Sequence, residues 1–280
     1  METNHSLNIQ QPMVPNMQYI KETPTNEFSK LKSKKTSRIN TGISTNDLVF
    51  SAYQNYNDTV FPLILCLYVP EKSCIADVTY GKGVFWRQVD KSKYQLFASD
   101  LKINGFPTEC TGGIDSRNLP YIDESIDAVV FDPPYMHTPG GTAHNGHQNY
   151  EDYYANNVEQ DPDVLKKIWN ETSGHPPKYH EAVLDLYFRT GKEARRVLRP
   201  GGVFIVKCQD EVCTNRQRLT HIEITIEYAK YGFITEDLFV VVRNNRPGVS
   251  RLKTRQYHAR KNHSYFMVYR KPALPNSRPL

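Results

Sequence analysis

The stretch "IDAVVFDPPYMH", residues 126–137, sets an apolar run, broken only by Asp127, directly before an acid, two prolines and an aromatic ring. An apolar, β-branched run of this length bounded by proline reads as a buried strand. Proline has no N–H and a fixed φ, so the strand ends at Phe131 and Asp132–Tyr135 form a stiff turn at its carboxyl end.

Outward from this strand, short apolar runs alternate with amphipathic stretches. On the N-terminal side "SCIADVT" (73–79) and "YQLFASD" (94–100) read as strands, "GVFWRQVD" (83–90) as the start of a helix and "TECTGGID" (108–115) as a weak strand. On the C-terminal side "HEAVLDLYFRTGKEARRVL" (180–198) has helical period, with Ala182, Val183, Leu186, Ala194 and Leu198 on one face. "RPGG" ends that helix, Gly201 taking the left-handed cap. "GVFIVKC" (202–208) reads as a strand, "TNRQRLTHIEITIEYAKYG" (214–232) as a helix, and "FITEDLFVVVRN" (233–244) with "NHSYFMVYRK" (262–271) as an antiparallel pair. Such alternation predicts a doubly wound, mostly parallel α/β sheet with an antiparallel edge.

The 280 residues suffice for one large domain with extensions. Residues 1–45 are polar, with a basic cluster at Lys30–Arg38, and predict disorder. From "NDLVFSAYQNYNDTVFPLILCLYV" (46–69) the chain turns apolar, with a helix expected from about Asp58 to Tyr68, and the folded domain spans 46–271, leaving 272–280 as a tail. Within it, 136–177 breaks the rhythm with a Gly-, His-, Asn- and Tyr-rich insertion, the pattern of a lid or target-recognition loop. No run approaches the ~20 apolar residues of a membrane span. "METNHSLNIQQPM" lacks the apolar core of a secretory signal. The five cysteines, odd in number and scattered, read as buried apolar residues in a reducing compartment. Together these predict a soluble, cytoplasmic protein with no membrane partner.

The net charge is +5, and its placement is informative: no acid follows Asp237, while ten Lys or Arg do. In the basic hairpin 244–263, Arg251, Lys253, Arg255, Arg260 and Lys261 interleave with Tyr257 and His258. This pattern predicts a nucleic-acid partner.

In open α/β sheets ligands lie beyond the carboxyl ends of the strands. Four such ends carry signal: Asp77–Thr79 followed by Gly81 and Gly83, then Asp100, Asp115 and Asp132. Trp86 stands where a dinucleotide fingerprint needs its third glycine, so NAD is disfavoured. His137, His144 and His147, with Cys208 and Cys213, fit no standard metal spacing, and no metal is expected.

Taken together, "DVTYGKGVF", Asp100, "DSRNLP", "DPPY" and "VLRPGGVFIVK" resemble the motifs of S-adenosylmethionine-dependent amino-methyltransferases, the DPPY-type DNA N6-adenine enzymes in particular. The resemblance spans roughly 46–271. It implies a Rossmann-like class I fold with a seven-stranded, mostly parallel sheet whose last strand is antiparallel. It further implies that Asp77, Gly81 and Gly83 hold the methionine part of the cofactor, Asp100 the ribose and Asp115 the adenine, with Thr79 and Tyr80 also among the cofactor-binding residues.

The amine of adenine or cytosine is a poor nucleophile because its lone pair is delocalised into the ring. Acceptors around its N–H groups would draw that pair out. The carboxylate of Asp132 and the carbonyl of Pro133, held stiff by Pro134, supply two, and Tyr135 offers a stacking face. A base inside a duplex must be flipped to reach them. The expected function is methyl transfer to adenine N6 in DNA. An RNA base methyltransferase (adenine N6 or guanine N2) and a non-catalytic nucleic-acid-binding subunit are the alternatives. No large recognition domain is visible, so sequence choice falls to the insertion, the basic hairpin or a partner subunit, and the oligomeric state is left open.

Overall fold

The computed structural model describes residues 48–101, 107–135, 179–244 and 255–273. The expected disordered segment 1–45, the 136–177 insertion with His137, His144 and His147, and Arg251 and Lys253 lie outside the described residues.

The described chain runs β1 (Ala52–Gln54), α1 (Asn57–Tyr68), β2 (Cys74–Asp77), two short 3-10 turns (Val84–Gln88 and Lys91–Lys93), β3 (Gln95–Ala98) and β4 (Ile126–Phe131). It continues through α2 (His180–Val197), β5 (Leu198–Cys208), β6 (Glu211–Cys213), β7 (Arg216–Arg218), α3 (Thr220–Lys230), β8 (Ile234–Val242) and β9 (His263–Arg270). Seven strands form one sheet in the order β1-β8-β9-β5-β4-β2-β3, and β6 with β7 forms a separate hairpin. β2 pairs in parallel with β3 and β4, β4 with β5, and β1 with β8, while β9 is antiparallel to both β5 and β8. The α/β, doubly wound, mostly parallel seven-stranded sheet with an antiparallel last strand is therefore observed. β9 is inserted between β5 and β8, however, and is not an edge.

Alternation along β4 explains the two layers. Ala128 and Val130 face a cluster with Val60, Phe61, Ile64 and Leu65 of α1, while Val129 and Phe131 face one with Val183, Leu186 and Tyr187 of α2 and Ile224 and Tyr228 of α3. A strand apolar on both faces needs helices on both sides, which is why these strands read as continuous apolar runs. Each large side chain so buried contributes roughly 1.5–3 kcal/mol. α1 ends at Tyr68 because Pro70 cannot continue it.

Five expectations are corrected. "TECTGGID" is not a strand: Thr111 makes a single parallel bridge to Ser99, and Gly113, at φ 76°, takes the chain out of extended geometry. The seventh strand is β1, at the opposite edge. "GVFWRQVD" yields one 3-10 turn, Val84–Gln88, and no longer helix. α2 ends at Val197, not at the glycines; Gly201 is left-handed at φ 82° but lies inside β5, its N–H donating to the Lys271 carbonyl at 2.8 Å. The segment 214–219 is not helical. Thr214 and Asn215 both have positive φ and form the two-residue turn that pairs β6 with β7, the backbone twist that suits a tight hairpin. Of the cysteines, Cys208 and Cys213 are buried, but Cys66 is exposed and Cys74 and Cys110 are half-buried.

Candidate active site

The chain reverses its walk across the sheet at β2, which is flanked by β3 on one side and β4 on the other. Ligand sites of open α/β sheets form at such a switch point. A cavity of about 420 Å³ opens there, lined by Asp77, Thr79, Tyr80, Gly81 and Asp100 on one side and Asp132, Pro133, Pro134 and Tyr135 on the other. Lys82, Val84, Phe85 and Arg243 complete it. Nine of the eleven residues expected for catalysis or cofactor binding are thus brought together by the neighbouring carboxyl ends of β2 and β4, with Asp100 just after β3.

The two ends are tied directly. The backbone N–H of Val78 donates to the Val130 carbonyl at 3.0 Å, and the N–H of Asp132 donates to Thr79 Oγ1 at 2.6 Å. Thr79 therefore fixes where the DPPY turn begins. Asp77 is buried, and both its oxygens are engaged: Oδ1 accepts from the Thr79 N–H at 3.1 Å and Oδ2 from Trp86 Nε1 at 2.6 Å. Burial pushes its carboxyl up to about 7, against the two hydrogen bonds and with the help of the nearby Asp132 and Asp100 carboxylates. Asp77 thus shapes the turn that carries Gly81. Asp100 is buried as well, and its Oδ2 accepts from the Gly81 N–H at 3.1 Å.

Tyr80 lines the cavity with its ring in the core, and its hydroxyl is committed: it donates to Glu109 Oε1 at 3.0 Å and accepts from Lys91 Nζ at 3.3 Å. Gly83 does not line the cavity. It is left-handed at φ 64°, and a Cβ there would lie 2.8 Å from the Tyr80 hydroxyl, so its lack of a side chain serves that ring. Asp115 does not line it either. Its carboxylate is held by Arg117, with Nε at 3.0 Å from both oxygens and Nη2 at 2.6 Å from Oδ2, in a pair only 2% and 4% exposed. The expected adenine-reading acid is therefore committed to an arginine two residues away, beside a smaller space that shares only Thr79 and Pro133 with the main cavity.

Asp132 is partly exposed as a residue, but its Oδ1 is fully buried and without a hydrogen-bond partner among the described residues. Burial raises its carboxyl, while Lys207 and Arg243 pull it back down. Lys207 and Arg243 were not among the expected site residues. Lys207 carried a legible signal, being a charge inside the apolar run "GVFIVKC". Arg243 carried none, since only the β8–β9 register brings it to the cavity mouth.

The β8–β9 connection leaves the sheet at the cavity end, because β8 runs parallel to β5 and β9 returns from it. Arg255 and Arg260 are exposed there and Lys261 half-exposed, with Arg255 5.6 Å from the Tyr257 ring. The Lys261 carbonyl accepts from Gln209 Nε2 at 3.3 Å, and His258 reaches the Asn215 carbonyl at 3.2 Å, joining this connection to the β6–β7 hairpin. Among the described residues, no group of three or more His, Cys, Asp or Glu could hold a metal, and no helix is long and apolar enough to cross a membrane.

Among solved structures, a Methanosarcina mazei S-adenosylmethionine-dependent methyltransferase is 13% identical over 75% of this chain and 98% of its own, with a TM-score of 0.44. A Thermus thermophilus protein, named provisionally as a DNA modification methylase and solved with S-adenosyl-L-methionine, is 21% identical over 59% of this chain and 56% of its own, at 0.35. The Thermus thermophilus TrmN structure is 13% identical over 76% and 48%, at 0.41. No curated protein matches. A family model described as DNA methylase matches residues 126–278, more than half of the chain and including the DPPY turn, β5 and the β8–β9 pair; the chain belongs to this family of N6 and N4 methyltransferases.

Proposed function

We propose that the protein transfers a methyl group from S-adenosylmethionine to the exocyclic N6 amine of adenine in DNA, with the target base flipped out of the duplex. The observation that carries this reading is the single cavity shared by the turn Asp132–Tyr135 and the ends Asp77–Gly81 and Asp100. A volume of about 420 Å³ lies within the roughly 300–1,000 Å³ of small-molecule sites. Three carboxyl groups, Asp77, Asp100 and Asp132, line it while Lys82 and Arg243 are exposed at its mouth, and a cationic sulfonium ligand beside them would favour their ionised forms. Gly81, at φ 53°, admits close approach of the backbone.

When bound, the sulfonium supplies an electrophilic methyl and a good leaving group, so no metal is needed. Gly81 and Asp100 would hold that cofactor. On the opposite wall, the Asp132 carboxylate and the Pro133 carbonyl accept from the two N–H groups of the amine and localise its lone pair. Tyr135, half-buried, gives the flipped base a stacking face, an interaction worth roughly 1–3 kcal/mol. Arg255, Arg260 and Lys261, with Arg251 and Lys253, then contact the phosphates.

The test is transfer from labelled S-adenosylmethionine to duplex DNA, single-stranded DNA and RNA, followed by nucleoside analysis. N6-methyladenine in DNA is expected; label only in RNA, or only as N4-methylcytosine, overturns the reading. Asp132→Ala is expected to lower transfer by about 10²–10³-fold or more while leaving cofactor affinity, measured by calorimetry, unchanged. Retained turnover would move the acceptor elsewhere.

A further inference from the structure

With Asp132 read as the acceptor for the target amine, a second buried ion beside it calls for a reason. β5 is apolar from Val203 to Val206 and then carries Lys207, 0% exposed, one residue before its end. The parallel register pairs Phe131 with Val206, so the next residues of the two strands, Asp132 and Lys207, emerge side by side. Neither Lys207 Nζ nor Asp132 Oδ1 has a hydrogen-bond partner among the described residues, and Nζ sits 3.9 Å from the centroid of the Phe266 ring. A buried ammonium without hydrogen bonds is costly, and an apolar side chain would suit this strand better. The lysine therefore answers to the charge beside it.

We propose that Lys207 is a positioning residue that holds Asp132 as a carboxylate, and so as a hydrogen-bond acceptor, at the target-amine site; this rests on the reading of Asp132 given above. A protonated Asp132 would present an O–H donor to an amine that must itself donate, and the interaction would be lost. Arg243 also favours the carboxylate, but it is exposed at the cavity mouth and screened by water. Asp77 at the end of β2 and Asp100 behind it are the nearby acids, and there Asp132 and Asp100 raise the Asp77 carboxyl. The Cys208 thiol, next to Lys207 on β5 and near Asp210, is pushed well up by burial and contributes no opposing charge. Lys207 is thus the buried cation of the group. Burial and Arg243 drive it towards the neutral amine, and Asp132 holds it charged.

Lys207→Met keeps a long apolar side chain without the charge, Lys207→Gln keeps a neutral polar one, and Lys207→Arg keeps the charge. In the full-length protein, the carboxyl carbon resonance of Asp132, assigned by its loss in Asp132→Asn, is followed by NMR from about pH 4 to about pH 10, spanning the carboxylate and lysine ranges. In the Met and Gln variants its midpoint is expected to rise by about one unit or more, and in the Arg variant to stay near that of the wild type. The acidic limb of the methyl-transfer profile moves with it, a loss of about tenfold per unit that is recovered at higher pH, while KM for the cofactor stays constant. An unchanged midpoint in both neutral variants overturns the proposal whatever the activity. A raised midpoint supports it even if the wild type transfers no methyl, a result that would count against the proposed reaction alone.

Discussion

Asp77 shows how one residue reports on the site through stability. Its carboxyl is raised by burial from the ordinary Asp value to about 7, so the folded protein holds a proton that the unfolded chain has already released. The unfolded state then binds fewer protons than the folded one between about pH 4 and pH 7, and stability must fall as pH rises through that window. The expected loss is on the order of 3–4 kcal/mol in the free protein. Denaturant titrations at several pH values are expected to show this slope and to show it flattened in Asp77→Asn; equal slopes would mean Asp77 is ionised throughout. The acids at strand ends were legible because each closes an apolar run. Which of them face the cavity was not. Asp115 looks like Asp100 in the sequence, yet Arg117 fills its carboxylate, and Tyr80 looks like a free aromatic while Glu109 and Lys91 hold its hydroxyl.

At the scale of elements, α2 and α3 meet at Gly191. A Cβ there would lie 2.3 Å from the Tyr228 ring, and the Tyr228 hydroxyl donates to the Tyr187 carbonyl at 2.8 Å across the same contact. Helix propensity alone favours alanine over glycine by about 1 kcal/mol. Overpacking opposes it, so Gly191→Ala is expected to destabilise the protein by about 1–3 kcal/mol in urea unfolding. A stabilised variant would show that the helices separate at little cost. Long elements were legible from their periods: α1, α2, β4 and β5 stand close to where the pattern put them. The failures lie where a local pattern was too short to decide. Residues 214–218 carry helix-compatible residues, but pairing of Glu211–Cys213 with Arg216–Arg218 holds them as a hairpin. The start of α2 is likewise fixed from elsewhere, His180 lying between Glu211 at 2.7 Å and Glu223 at 2.6 Å.

Across the whole molecule, Arg255, Arg260 and Lys261 of the β8–β9 connection come to the same end of the sheet as the cavity, because β8 and β5 are parallel and β9 returns between them. Neutralising Arg255, Arg260 and Lys261 together is expected to weaken DNA binding and to reduce the slope of log affinity against log salt by about 0.9 for each phosphate that is no longer neutralised. An unchanged slope would assign these charges to solvation. The sequence by itself determined the fold class and the place of the DPPY turn, since both follow from local physics: buried runs of strand length, and an acid and two prolines that must end one of them. Only the tertiary structure decided which strands are neighbours, and hence that Thr79 ties the DPPY turn, that Lys207 stands beside Asp132, and that Arg243 reaches the cavity mouth. Those contacts join residues about 50 to 110 positions apart, and no local pattern encodes the register that brings them together.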